Sequence, residues 1–214
     1  SSELYGYTAG GRGAAWGTMN KNIDKFSFAT GTENATDSGD LTVETASMAG
    51  TSSSTHGYVA GGSPSAGVVN SIQKFSTASG GDASAISGVL TIAKSVEGGG
   101  VSHTTHGYTV GKGGAPYSNV IERFEFATDG DSADVGDLDI PRVSLAGASS
   151  ATDGFVAGGA DAGTPPGANQ IEKWSFASGT QNAASHGNLS RESYGVCGQS
   201  STAYGYASGG YVPN

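Results

Sequence analysis

Thr55-His56-Gly57-Tyr58-Val59-Ala60-Gly61-Gly62 is the stretch from which the rest of this chain can be placed, because it recurs. Near-copies stand at 4–11 (LYGYTAGG), 105–111 (THGYTVG), 153–159 (DGFVAGG) and 203–210 (AYGYASGG), making five in all. The glycine before the first aromatic falls at Gly6, Gly57, Gly107, Gly154 and Gly205, so the separations are 51, 50, 47 and 51 residues. A fixed period of that length marks an internal repeat, whose units bury their apolar faces against one another.

Three further registers keep the same step. Ile23, Ile72, Ile121 and Ile171 open IDKFSF, IQKFST, IERFEF and IEKWSF. Leu41, Leu90, Leu138 and Leu189 stand in GDLTV, GVLTI, GDLDI and GNLSR, while Gly50, Gly100, Gly147 and Gly198 each precede a Gly-aromatic marker by seven residues. The segments Tyr58 to Ala60, Ile72 to Phe75 and Leu90 to Ile92 are rich in β-branched and aromatic residues bounded by Gly, Ser and Asn, which reads as strand. No window carries the i, i+3, i+4 apolar pattern of a helix. In IDKFSF, alternation puts Asp24, Phe26 and Phe28 on one face and Ile23, Lys25 and Ser27 on the other.

An all-β fold of four-stranded units of about 50 residues is the pattern of a β-propeller, each blade covering the next. The whole of 1–214 is then one domain, with repeats at about 4–55, 56–105, 106–152 and 153–203 and a partial fifth copy at 204–214. Four blades plus one supplementary strand is the expected count, with five blades, one incomplete, as the alternative.

Composition fits that scaffold and excludes several function classes. Glycine supplies 37 of 214 residues, against an ordinary usage of roughly 7%, and without a Gly-X-Y period it serves turns and close backbone approach. A formal charge of −9, with only ten scattered basic residues, argues against a nucleic-acid surface. No apolar run is long enough to span a membrane, and the first residues lack the basic and apolar regions of a signal peptide. Cys197 is the only cysteine, so no disulfide forms within the chain, and in YGVCG it reads as a small buried hydrophobe.

The order Gly-aromatic-X-X-Gly-Gly, variable loop, Asn-X-Ile-X-Lys-aromatic, turn, Leu-X-X-X-Arg resembles the kelch-type propeller repeat over nearly the whole chain. More closely, 35–43 (ATDSGDLTV) and 46–57 (ASMAGTSSSTHG) are similar to the serial repeats of tail-fibre and other virion proteins of tailed phages, notably marine cyanophages. That resemblance implies a virion or extracellular location and multi-copy assembly with other virion proteins. It implies no reaction.

Candidates for chemistry are few. His56 and His106 are repeat-equivalent, and His103 and His106, if they shared one strand, would face opposite sides. Asp129, Asp131 and Asp134 lie in a glycine-containing loop that reads as a solvated, turn-forming segment; calcium, to which it could offer several oxygens, is the alternative, and no cofactor is otherwise expected. No Gly-X-Ser-X-Gly elbow is present, and a glycoside hydrolase would need two of Glu44, Glu97, Glu122, Glu125, Glu172 and Glu192 to meet in one cleft. Glu122 and Glu172 are repeat-equivalent and are expected to pair with basic neighbours. Residues that break the repeat are free for recognition, which selects Arg12, Trp16, Met19, Lys112, Tyr117 and Tyr211 in or beside the variable loops. The expectation is a non-enzymatic adhesion or structural module whose loops meet a host-surface glycan or a virion protein. A free lectin-like propeller is the alternative, and a glycan hydrolase a third reading.

Overall fold

The computed structural model describes residues 4–13, 17–29, 33–114, 116–161, 168–178 and 180–212. Its strands form five antiparallel sheets in chain order, and no helix among the described residues is long and apolar enough to cross a membrane. The first sheet holds β1 (Tyr5–Arg12), β2 (Met19–Ser27) and β3 (Thr36–Asp40). Three complete four-stranded sheets follow. They are β4 (Ala49–Ser52), β5 (His56–Ala60), β6 (Ser71–Ser76) and β7 (Ser84–Val89); β8 (Gly100–Ser102), β9 (His106–Lys112), β10 (Ser118–Glu125) and β11 (Ala133–Asp137); and β12 (Ala146–Ser149), β13 (Asp153–Ala157), β14 (Gln170–Ser175) and β15 (Ala184–Asn188). The last sheet is the hairpin β16 (Tyr194–Ser200) and β17 (Gly205–Tyr211).

The all-β reading, the Gly-aromatic and Ile strands and the short strand at the Gly50, Gly100, Gly147 and Gly198 register stand where the sequence puts them, but the strand expected at the leucine register does not. The leucine register is not a strand. Leu41, Leu90, Leu138 and Leu189 come just after the outer strands and end the ladder, each amide bonding back across it, as Leu90 does to the Asn70 carbonyl at 2.8 Å. The outer strands are the polar segments before them, TDSGD, SAISGV, ADVGD and ASHGN, which look like turns because one edge faces water. The first strand of a complete sheet is the short glycine-bearing segment before the marker, so each sheet begins about seven residues ahead of the unit read from the repeat.

Inner strands β4, β8, β12 and β16 stand beside one another in succession. Their glycines make that approach possible: a Cβ on Gly100 would run into the Gly50 carbonyl, one on Gly147 into Gly100, and one on Gly198 into Gly147. The core lies between sheets. Tyr58 packs on Phe124 and Phe126 of the following sheet, with ring centroids 5.8 and 4.6 Å away, and Tyr108 packs likewise on Trp174 and Phe176 at 5.9 and 5.2 Å. Tyr7 meets Phe75 at 5.5 Å and donates its hydroxyl to the Thr77 carbonyl.

Polar clasps repeat with the same period. Gln73, Glu122 and Glu172 are buried at one strand position, and each accepts an amide bond from the preceding sheet, from Thr42 (2.8 Å), Thr91 (2.6 Å) and Asp139 (2.7 Å). Glu122 and Glu172 also form buried ion pairs with Lys94 and Arg142 of the preceding sheet, the basic neighbours expected of them. Where the carboxylate becomes the neutral Gln73, the position matching Lys94 becomes Thr45. Charge is thus present on both sides of an interface or on neither, as the cost of an unpaired buried ion requires.

Candidate functional site

The ends of the sheets, rather than their faces, carry the residues that break the repeat. In the four sheets before the hairpin the Gly-aromatic strand runs to the variable loop and the Ile strand returns from it, so these loops emerge on one rim. Arg12 closes β1 and lies opposite Met19, which opens β2. Lys112 closes β9, Tyr117 directly precedes β10, and Tyr211 closes β17, all on that rim. Trp16 lies outside the described residues. Arg12 and Tyr211 are exposed, and Met19, Lys112 and Tyr117 are half-buried. The Lys112 ammonium is turned into its own loop, donating to the Pro116 carbonyl at 3.1 Å. Tyr211 stacks obliquely on Tyr194, centroids 5.3 Å apart. Beside Met19, a hollow of about 340 Å³ is bounded by Gly17, Thr18, Glu44 and Ser65. The links from each outer strand to the next inner strand reach the same rim, where the Thr45 carbonyl accepts the Gly11 amide and the Lys94 carbonyl the Gly62 amide.

The acidic loop does not assemble a calcium site. Asp129 pairs with Lys74, the Asp131 carboxylate accepts the Val89 amide at 3.0 Å, and the Asp134 carboxylate accepts the Gly136 amide at 3.2 Å. Asp82 and Asn182 take the same part as Asp131, accepting the Asp40 and Asp137 amides of the preceding sheets. A position filled equally well by Asp and Asn serves as a hydrogen-bond acceptor between sheets, which accounts for the aspartate without a metal. Among the described residues no group of three or more His, Cys, Asp or Glu is placed to hold a metal ion.

Glu122 and Glu172 sit in separate inter-sheet interfaces and not in one cleft. Burial alone raises the Glu122 pKa; the Lys94 charge and the bonds from Lys94 and Thr91 outweigh it and hold the carboxyl below its ordinary value. For Lys94 and Arg142 burial prevails, lowering both, Arg142 to about 10. His103 and His106 do not face opposite sides, because they flank a tight turn instead of sharing a strand. Their rings stack at 6.3 Å, with His103 also 4.7 Å from Phe176. Burial first, and Arg123 second, keep His106 below the usual imidazole value. Cys197 is exposed on β16, contrary to the buried reading.

Two concavities escape a sequence reading, since each gathers residues from several units. A cavity of about 800 Å³ beside the inner strands is lined by Gly50 to Ser52, Gly100 to Ser102, Gly147 to Ser149 and Gly198 to Ser200, with Tyr7, Phe26 and Phe28 on one side. Its hydroxyls are partly spent on the scaffold: Ser102 accepts the Ser52 amide at 2.9 Å, and Ser200 the Ser149 amide at 2.8 Å. The second is an apolar hollow of about 350 Å³ between the last two sheets, walled by Phe155, Ile171, Leu189, Gly205 and Tyr206.

Comparison with protein-family models and with curated proteins gives no match for this chain.

Proposed function

We propose that the chain is a non-enzymatic display module of a phage virion, an open β-propeller of five blades whose first and last are incomplete, presenting its loop rim to a host-surface glycan or to another virion protein. The separate pairing of β16 with β17 favours five blades over four with a supplementary strand. The observation that carries the functional reading is a division of labour. Repeated aromatic, charged and glycine positions are consumed in contacts between sheets, whereas Arg12, Met19, Lys112, Tyr117 and Tyr211 stand at the loop ends of their strands, on three separate sheets. Shallow loop contacts of this kind are individually weak, and many copies on one particle convert them to avidity.

Glycan arrays and whole-cell binding of the isolated protein test this reading. Saturable binding that falls about tenfold in Tyr117→Ala, with unfolding temperature unchanged, is the expected result. Absence of binding to every glycan and host surface tried, or binding indifferent to substitutions of the rim residues, overturns the adhesive role.

A further inference from the structure

The turn from an inner strand to the Gly-aromatic strand is built alike in three sheets and differently in one. A serine opens it in three, and its hydroxyl accepts the amides two and three residues on: Ser53 from Thr55 and His56 at 3.3 and 3.0 Å, Ser150 from Thr152 and Asp153 at 3.2 and 3.0 Å, Ser201 from Ala203 and Tyr204 at 3.3 and 3.0 Å. In the turn from β8 to β9 that serine is His103. The backbone keeps its form, since the His103 amide donates to the His106 carbonyl at 2.9 Å, as Ser53 does to His56 and Ser150 to Asp153. The side chain gives up a common turn motif, and its ring lies 4.7 Å from Phe176 of the following sheet.

Two imidazoles then share one hydroxyl. Thr105 Oγ1 lies 2.7 Å from His106 Nδ1 and 3.1 Å from His103 Nδ1, whereas in the second sheet Thr55 serves His56 alone, at 2.9 Å. A hydroxyl carries one proton, so with both rings neutral one Nδ1 accepts it and the other donates its own N–H to the oxygen. The fourth sheet shows the direction, because Thr152 donates to the Asp153 carboxylate, which holds the His106 position. His106 Nδ1 is therefore the acceptor and His103 Nδ1 the donor. A proton can join His103 at Nε2, which faces the Thr104 hydroxyl at 3.4 Å, with both Thr105 bonds kept. His106 has no such freedom: its unprotonated nitrogen is the one that accepts from Thr105, and a charge there stands beside the first, ring centroids 6.3 Å apart.

We infer that His103, Thr105 and His106 form a proton-operated latch between the third and fourth sheets. With both rings neutral, or one charged, the latch is closed and His103 lies on Phe176. With both charged, repulsion drives His103 off that ring and the contact between the sheets loosens. Around His106, burial opposes a charge most and Arg123 of β10 next; Glu125, opposite His106 in the ladder, favours it, and His103 opposes it. The fourth sheet offers the pair the Phe176 ring, which gives a second cation no counter-charge. The folded-state pKa of His106 thus lies below its unfolded value. Its contribution to stability is complete above the unfolded value, about 6.5, and is lost as pH falls from there through the folded one.

The chain holds four histidines, so each imidazole can be followed by NMR in the full chain between about pH 8 and about pH 5. His103 and His106 should titrate in two linked steps more than about 1 pH unit apart, His106 in the more acid one, with His56 giving a single step of its own. The contact between His103 and Phe176 protons, present at neutral pH, should vanish with the second step. His103→Ser restores the serine of the other turns and should move the His106 step to higher pH. Thr105→Val, which keeps both rings and removes the hydroxyl they share, should move it the same way. Over the same range the unfolding temperature of the native chain should fall at least about 2 °C further than that of His103→Ser, the effect of about one pH unit on one group in a chain of this size. A merely structural histidine would shift the unfolding temperature equally at every pH. Independent single steps for the two histidines, a His103 to Phe176 contact that outlasts the second step, a His106 titration indifferent to both substitutions, or equal acid losses in the two proteins would each overturn the inference.

Discussion

Phe124 and Phe26 occupy the same place in the repeat and are the same amino acid, yet Phe124 is 1% exposed and Phe26 39%. The difference lies in the neighbour. Phe124 is covered by Tyr58 of the sheet before it, whereas Phe26 belongs to the first sheet, which no described sheet precedes. Stability in a repeat protein is close to a sum of unit terms and nearest-neighbour interfaces, so identical residues differ in worth according to the interface they face. The sharpest way to break this comparison is to truncate both. Phe124→Ala should cost about 3–5 kcal/mol, the range for removing a buried aromatic. Phe26→Ala should cost less than about 1 kcal/mol, because most of its transfer term is never gained. Chemical denaturation of the two variants decides it, and equal losses would mean that the first sheet is covered in solution.

Next in size is the charged clasp. Lys94→Met leaves Glu122 buried without its cation and should cost about 3 kcal/mol, whereas Lys94→Met with Glu122→Leu should restore much of the loss. At the first sheet, Asp24 stands in the position of Glu122 but is only half-buried, and Asp24→Ala should stay within about 0.5 kcal/mol. Acid gives an independent view. The folded-state pKa of Glu122 lies below its unfolded value, so its contribution is fully present above the unfolded pKa, about 4.3. It is lost as pH falls from there through the lower folded value. Glu122→Gln should flatten the acid limb of the stability curve below about pH 4.

These contrasts also show what a single sequence can hold. Periodicity made the sheets and their glycines legible, because every unit repeats the same solution to burial. It misled at the outer strands, where TDSGD and ASHGN look like turns: strands exposed along one edge need no apolar alternation. It was silent at Asp131, whose part as acceptor for one backbone amide shows only when Asp82 and Asn182 are seen in the same part. The rim residues were legible as departures from the repeat, which needs only counting. The hollow over Gly205 was not, since a vacancy is a relation between two sheets and the residues around it are ordinary members of their registers. Cys197 was misread for a related reason: its repeat equivalents Ala49 and Ala146 are buried, and it is exposed because the last sheet lacks their cover.

The smallest predicted effect is also the cleanest, since it compares one substitution at two equivalent positions. Gly50 and Gly100 hold the same place in the repeat, each in its inner strand, and neither has a positive φ, so alanine strains neither backbone. Around Gly50, a Cβ would find nothing within 4 Å; around Gly100 it would strike the Gly50 carbonyl, which is main chain and can give way only by moving β4. Gly100→Ala should therefore cost about 1–3 kcal/mol, the ordinary range for overpacking. Gly50→Ala should be neutral, or stabilising by up to about 1 kcal/mol through a less flexible unfolded chain. A cost at Gly50 equal to that at Gly100 would show that another inner strand seats against β4 in solution. The two substitutions together thus report whether the row of inner strands ends at Gly50 or continues beyond it.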